Sequence, residues 1–350
     1  MNVLFLIDKS NAFFRGLIDY LEKKFPKYDK EYLVIDRRKE KDFSGLPNTT
    51  RVTNYSDFVF NHSLRNKFKH ADKIIVSGVF VWQYVLISFS KKVIQKCYLQ
   101  FWGGDYTRFR KKSIRNTIDK SIIQKILNDV KGVILLEISE RKTFESIFRF
   151  KGDFFAVPVT SDPEKQLAII SSVLNKSMND KKRIIIGNSA TETNCHIEIF
   201  EMLKGKDWTN VEICCPLSYG DMEYAKFVIN EGKRIFGDSF VPITEMMNYK
   251  DYIGLLASCD VGIYNHNRQQ GLGNISLLTR LGKKVYVRKD GECWNHYSRF
   301  GITLNSTEDI KKESSIEILK WNHSNAELNQ FGMKKLDDSF EAEWQRILED

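Results

Sequence analysis

Short runs of consecutive apolar residues alternate along this chain with longer stretches in which apolar residues recur every three or four positions. The short runs Val3–Ile7, Tyr32–Ile35, Lys73–Val76, Lys96–Phe101 and Gly132–Glu137 read as strands buried on both faces. Between them, helical spacing runs through Phe13, Phe14, Leu17, Ile18 and Leu21, through Ile114, Ile118, Ile122 and Ile126, and over Ser139–Phe148. The alternation pauses after the run Phe155–Val159, at the polar residues Thr160–Pro163, a helix-like Glu164–Leu174, and the Lys, Asn and Ser-rich Asn175–Lys182. It then restarts. Arg183–Ile186, Val211–Cys215, Val261–Tyr264 and Lys284–Val287 read as strands, with helices over Asn194–Leu203, Met222–Gly232, Tyr249–Ala257 (preceded by the apolar pair Phe240–Val241) and Asn274–Leu281. Strand and helix in alternation predict parallel sheets covered by helices, so each half reads as a doubly wound α/β unit. The expected boundaries are 1–175, 176–325 and a C-terminal helix within 326–350 that can cross back to the first domain.

One apolar stretch, Ile74–Ser90, contains no charged residue. It is shorter than the roughly 20 residues that span a bilayer, and Ser77-Gly78 interrupts it as a turn would. A buried strand, a turn and a buried helix over Phe80–Phe89 are expected. The N-terminal run Met1–Asp8 lacks the basic start and the length of a secretory signal.

Length and composition bound the picture. The 350 residues, 42% of them hydrophobic, suffice for two packed domains. The net charge of +9 is uneven, with 31 Lys and Arg against 19 Asp and Glu in residues 1–175, and 23 against 26 in residues 176–350. A basic first half suits nucleic acid, an anionic membrane surface or an acidic lipid-linked substrate, and equally an ordinary solvated surface. No basic recognition helix or aromatic single-strand platform favours nucleic acid. The 6 cysteines form no C-x-x-C pair, which fits packed thiols in a reducing cytosol. The 6 histidines have no metal-ligand spacing, and no metal is expected.

Two turns carry the chemistry. After Val261–Tyr264 come Arg268, Gln269, Gln270, Gly271 and Gly273, ahead of a helix. Glycines, amides and a guanidinium at a helix N-terminus are suited to an anion, because backbone N–H groups and the helix dipole point at it and arginine grips phosphate by two bonds. A second turn, Gly187-Asn188-Ser189 with Asn194, directly follows a strand and reads either as a phosphate or sugar contact or as a plain turn with Asn194 as helix cap. His196 and His266 lie in or beside these turns. Tyr219, in Pro216–Gly220, follows a strand end and reads as a platform for a flat base or as an exposed turn aromatic. In the first half, Trp102-Gly103-Gly104-Asp105 also follows a strand, and Asp105 reads as a general base or as a helix-capping carboxylate. The basic run Arg108, Arg110, Lys111, Lys112 and Arg115 comes next. Neither a dinucleotide G-x-G-x-x-G nor a P-loop is present.

Taken together, Gly187-Asn188-Ser189 with Asn194 and His196, Pro216 with Tyr219 and Gly220, Tyr252–Asp260 and Arg268–Gly273 resemble the bacterial 4-alpha-L-fucosyltransferase family. These enzymes add 4-acetamido-4,6-dideoxygalactose (Fuc4NAc) in making enterobacterial common antigen, a surface polysaccharide. Trp102-Gly103 and Asp105 look like the family's turn in the first half, while Ser77 stands where the family has histidine. The resemblance implies a metal-independent GT-B glycosyltransferase: two Rossmann-like domains facing across a cleft, with no cofactor beyond the donor. It implies a dTDP-sugar donor held by Gly187, Asn188, Ser189, Asn194, Tyr219, Arg268, Gln269, Gln270, Gly271 and Gly273, with Arg268 and Asp105 in catalytic roles. A lipid-pyrophosphate-linked saccharide acceptor and a cytoplasmic, peripheral location on the inner face of the cytoplasmic membrane follow. Another donor nucleotide, GDP or UDP, and a non-catalytic nucleotide-sugar-binding protein are the alternatives.

Overall fold

The computed structural model describes residues 1–8, 12–36, 45–79, 81–157, 163–174 and 181–350. Phe80, Pro158, Val159 and residues 175–180, all within segments discussed above, lie outside the described residues. The chain divides into two compact units, Met1–Asp162 with Ser339–Asp350, and Pro163–Asp338.

The first domain is a seven-stranded parallel sheet of β1 (Asn2–Asp8), β2 (Asp29–Ile35), β3 (Thr49–Val52), β4 (Lys73–Ser77), β5 (Cys97–Gln100), β6 (Gly132–Leu135) and β7 (Asp153–Ala156), in the order β3-β2-β1-β4-β5-β6-β7. Continuous apolar runs form these strands because helices cover both faces of the sheet. Leu4 and Leu6 of β1 point into one core with Trp82 and Phe101, while Val3, Phe5 and Ile7 point into the other with Phe14, Leu17 and Leu21. That second core also takes in Trp344, Ile347 and Leu348, whose ring and methyl groups pack with Phe5 and Tyr32. Each such side chain contributes on the order of 2 kcal/mol on burial.

The apolar stretch after Lys73 resolves as expected into β4, a turn at Gly78 (φ +81°) and a buried helix, shortened to Trp82–Leu86. No helix among the described residues is long and apolar enough to cross a membrane. The helix Ile114–Leu127 differs from its expected packing. Ile126 is buried as the spacing predicts, but the core is completed by Ile123, Leu127 and Asp119, and Ile114 and Ile118 stand in solvent.

The second domain is a six-stranded parallel sheet of β8 (Lys182–Ile186), β9 (Val211–Pro216), β10 (Phe240–Ile243), β11 (Val261–Tyr264), β12 (Lys284–Val287) and β13 (Asn305–Ser306), ordered β10-β9-β8-β11-β12-β13. Counted from its own first strand this is 3-2-1-4-5-6, the Rossmann order, with the topological switch between β8 and β11. The helix Pro163–Leu174 packs on the helix Tyr249–Ser258, so it belongs to this domain, and the division falls at 162/163 rather than at 175/176. The last helix, His323–Glu349, begins in the second unit, where Asp337 pairs with Arg280, and ends in the first.

Candidate functional site

In a doubly wound sheet the loops leaving two adjacent strands at the switch point diverge and leave room for a ligand at the strands' carboxyl ends. Here those loops follow β8 and β11, and they contain both sequence-predicted turns.

The β8 loop starts at Gly187, which adopts φ +70°. A Cβ there would lie 2.6 Å from His196 Nε2 and 2.8 Å from Asn194 Oδ1, so only glycine fits. Asn194 does not cap the next helix as expected. Its buried side chain organises the loop instead: Oδ1 accepts from the Asn188 N–H at 3.0 Å, and Nδ2 donates to the carbonyls of Ser189 and Thr191. The helix His196–Leu203 therefore opens on Cys195 in the left-handed region, with no side-chain cap.

The β11 loop mirrors this. Gly271 has φ +69°, and a Cβ on it would lie 2.6 Å from His266 Cε1. It opens the helix Leu272–Arg280, again with no side-chain cap, and Gly273 sits exposed in the first turn with nothing near its Cα hydrogens. By contrast, the helices after β9 and β10 are capped by the side chains of Asp221 and Asn248. Among the described residues, no side chain takes up the N-terminal N–H groups of the two helices at the switch point.

Neutral amides and hydroxyls tie the loops together. His266 Nε2 lies 3.0 Å from Asn194 Oδ1, and its Nδ1 lies 2.9 Å from the Gln270 carbonyl. Gln270 donates from Nε2 to Asn188 Oδ1 at 3.2 Å and accepts from the Thr193 hydroxyl at 2.6 Å. Asn188 Nδ2 donates to the Tyr219 hydroxyl at 3.0 Å, bringing in the β9 loop. That loop is pinned where Ala190 donates to the Tyr219 carbonyl and Asp221 donates to the Ala190 carbonyl. The Tyr219 ring stays half exposed.

Arg268 is exposed at the edge of this network. Its Nε donates to Thr193 Oγ1 at 3.3 Å and its Nη1 to the Gln269 carbonyl at 3.4 Å, both neutral oxygens. No carboxylate pairs with it among the described residues, and desolvation lowers its pKa. A guanidinium held by neutral acceptors keeps its charge available to an incoming anion. Beneath the turns, burial pushes His196 down to about 4 and His266 down to about 3, which favours neutral rings at pH 7; a neutral His266 donates to only one of its two oxygen neighbours. His196 Nδ1 meets the Tyr224 hydroxyl at 3.2 Å, while its buried Nε2, close to Gly187, has no hydrogen-bond partner among the described residues.

The structure thus brings together Gly187, Asn188, Ser189, Asn194, Tyr219, Arg268, Gln270 and Gly271; Gln269 is buried below them. Thr193, which receives Arg268 and grips Gln270, was not anticipated, because a hydroxyl inside a loop carries no periodic signal. Asp105 belongs to the first domain and is entirely buried. Its Oδ2 accepts from the Val79 N–H at 3.0 Å and its Oδ1 from the Trp102 N–H at 2.8 Å, so it clasps the loops that leave β4 and β5. Burial raises its pKa to about 6 against the lowering effect of these bonds. Asp105 does not cap the helix Gly104–Thr107, whose start has no side-chain cap; its two oxygens join the strand-end loops instead, and the carboxylate is shut off from solvent. Among the described residues no group of three His, Cys, Asp or Glu side chains is placed to hold a metal ion.

Residues 144–350 match the family 4-alpha-L-fucosyltransferase glycosyl transferase group 56. Solved structures share the architecture across the whole chain. The alpha,alpha-trehalose 6-phosphate synthase of Burkholderia multivorans aligns with a TM-score of 0.67 at 9% identity, covering 99% of this chain and 95% of that one. Anabaena HepE in complex with UDP and glucose aligns with a TM-score of 0.63 at 12% identity, covering 100% and 98%. The N-terminal domain of Candida albicans trehalose-6-phosphate phosphatase aligns with a TM-score of 0.65 at 12% identity, covering 99% and 96%. With the two parallel-sheet domains, these likenesses identify the fold as GT-B.

Proposed function

As a member of the 4-alpha-L-fucosyltransferase family of glycosyl transferase group 56, this chain is a glycosyltransferase, and we propose that its donor is a dTDP-linked deoxyamino sugar of the Fuc4NAc type. In this reading the acceptor is a lipid-pyrophosphate-linked saccharide at the inner face of the cytoplasmic membrane, and the product enters a bacterial surface polysaccharide.

The observation that supports a nucleotide-diphosphate donor is the pair of uncapped helix starts at the β8/β11 switch, with Arg268 beside them paired to no carboxylate among the described residues. Breaking the sugar–phosphate bond builds negative charge on the leaving diphosphate. Fixed N–H groups and a guanidinium stabilise that charge without reorganising during the step. Arg268 and the N–H groups near Gly271 and Gly273 take the diphosphate from one side. Gly187, Asn188 and Ser189 take the phosphate or sugar from the other, and the half-exposed Tyr219 ring packs on the base. Asp105 shapes the first-domain loops and stays off the reacting atoms.

UDP is the second reading, since the HepE structure that shares this fold was solved with UDP. A thermal-shift panel of dTDP, UDP, GDP and CMP on the purified full chain separates the readings. A ligand at about 100 times its Kd stabilises by about 2.7 kcal/mol. The largest shift is expected with dTDP. A larger shift with UDP moves the donor assignment, and no shift with any nucleoside diphosphate removes the diphosphate site.

A further inference from the structure

The acceptor in the reading above is membrane-bound, and we propose that the first domain docks on an anionic phospholipid bilayer through the face made by the helices Ile114–Leu127 and Trp82–Leu86. The proposal deepens that reading by assigning its membrane contact to named residues.

The first observation is misplaced apolar surface. Ile114 is 84% exposed and Ile118 54% exposed, one turn apart on one side of a helix whose buried residues are Asp119, Ile123, Ile126 and Leu127. The Trp82–Leu86 helix packs alongside, and there Tyr84 and the adjoining Ile87 are exposed as well. Scattered single exposed aliphatics are ordinary, but here they stand on two helices that pack against each other.

The second observation is charge. Residues 106–128 carry seven cations and one carboxylate, Asp119. Asp119 is buried, pairs with Arg108 at 3.2 Å and accepts from the Tyr84 hydroxyl, so it offers nothing to the others. Arg110, Lys111, Lys112, Lys120 and Lys125 line an open groove along the same helix, and no ion pair engages them among the described residues. Protein surfaces ordinarily interleave both signs. Aliphatic side chains beside a one-signed cationic strip match a bilayer interface, where the apolar groups enter the headgroup boundary and the cations meet lipid phosphates.

The alternatives fit less well. Nucleic acid gives exposed isoleucines nothing to bury against, and no aromatic platform for bases accompanies them. A second copy of the chain, meeting face to face by a two-fold axis, would set the same cations against each other. The strip also starts three residues after Asp105, at the carboxyl end of β5. That is the end of a parallel sheet at which ligands sit, so docking there would present the first domain's loops to a lipid-borne acceptor.

The test is co-sedimentation of the full chain with vesicles of phosphatidylcholine alone and of phosphatidylcholine mixed with phosphatidylglycerol. Binding to the mixed vesicles, weakened by salt, is expected. Ile114→Ser with Ile118→Ser should lower the partition coefficient about tenfold or more. Lys111→Gln with Lys112→Gln should do so by roughly tenfold as well. Both pairs should keep the wild-type nucleotide thermal shift and gel-filtration volume, which reports that they fold. Equal binding to neutral and anionic vesicles overturns the proposal, as does undiminished binding by both variants. A wild-type dimer turned monomer by the isoleucine pair also overturns it, because the face would then join two copies. Failure of the wild-type chain in the nucleotide panel counts against the donor reading alone and leaves the vesicle result standing.

Discussion

At the ends of β4 and β5 in the first domain, and at the ends of β8 and β11 in the second, strand-end loops turn on glycines in the left-handed region, Gly78 and Gly103 in one, Gly187 and Gly271 in the other. In the first domain the chain provides its own anion: the Asp105 carboxylate takes the N–H groups of Val79 and Trp102 and closes both loops on itself. In the second domain the same kind of loops are braced at their tips by neutral groups, Asn194, Gln270 and His266, while the nearby Glu198 carboxylate is taken up by Asn265 and Arg288, and the N-cap residues of the helix starts beside them make no side-chain cap. An internal carboxylate makes a turn rigid and fills it. Neutral bracing makes it rigid while leaving its positive field for a ligand, which is how one fold can dedicate one domain's loops to shape and the other's to a diphosphate.

The sharpest way to break this contrast is Arg268→Ala. Loss of one charge-stabilising donor is expected to lower kcat/KM by about 10²- to 10³-fold. The melting temperature should barely change, because Arg268 is exposed and bonded only to two neutral oxygens. Turnover within twofold of wild type, measured on purified variant, would take Arg268 out of the reaction.

Acid should act on the two domains with opposite sign. His196, His266 and His296 of the second domain are held down at about 4, about 3 and about 3 by burial. Their unfolded forms take up protons below about pH 6.5, which the folded forms refuse, so their stabilising share is full above that pH and lost as pH falls through the folded values. Each ring is expected to cost about 2 kcal/mol on going from pH 7 to pH 5. Asp105 is raised to about 6, so its share is full below about pH 4 and lost as pH rises through 6. The first domain should therefore regain about 1 kcal/mol at pH 5. Urea unfolding followed by protease mapping at both pH values reads the domains separately, and an unchanged second-domain midpoint would contradict the neutral buried rings.

Asp105→Asn carries the smallest expected effect. The amide keeps one acceptor for the two N–H groups and removes a buried charge, so a net loss of about 1 kcal/mol and turnover within about tenfold are expected. Collapse of turnover by a thousandfold in a folded variant would restore the general-base reading.

Much of this was legible in the residue pattern, and the gaps have physical causes. Strands covered on both faces announce themselves as apolar runs, and glycines at strand ends mark turns that no other residue can make. Two of the four edge strands were silent: β3 buries only Val52, and β13 has two residues. Helical spacing shows that Pro163–Leu174 is a helix but not which domain it packs on, hence the displaced boundary. The same limit applies to Ile114 and Ile118, whose one-turn spacing is identical whether the stripe meets a core or a membrane. Asn194 and Asp105 were each readable as caps or as site groups, and only the bonds they make distinguish the roles.

The placement of Trp344, Ile347 and Leu348 against Phe5 and Tyr32 has a consequence for how the chain comes into being. The domain built on β1–β7 lacks part of its interior until residues 344–348 have left the ribosome. The second domain holds all of its own strands and is complete earlier. The first domain is therefore completed after the second, and a stop codon ahead of Trp344 would open the first domain's core.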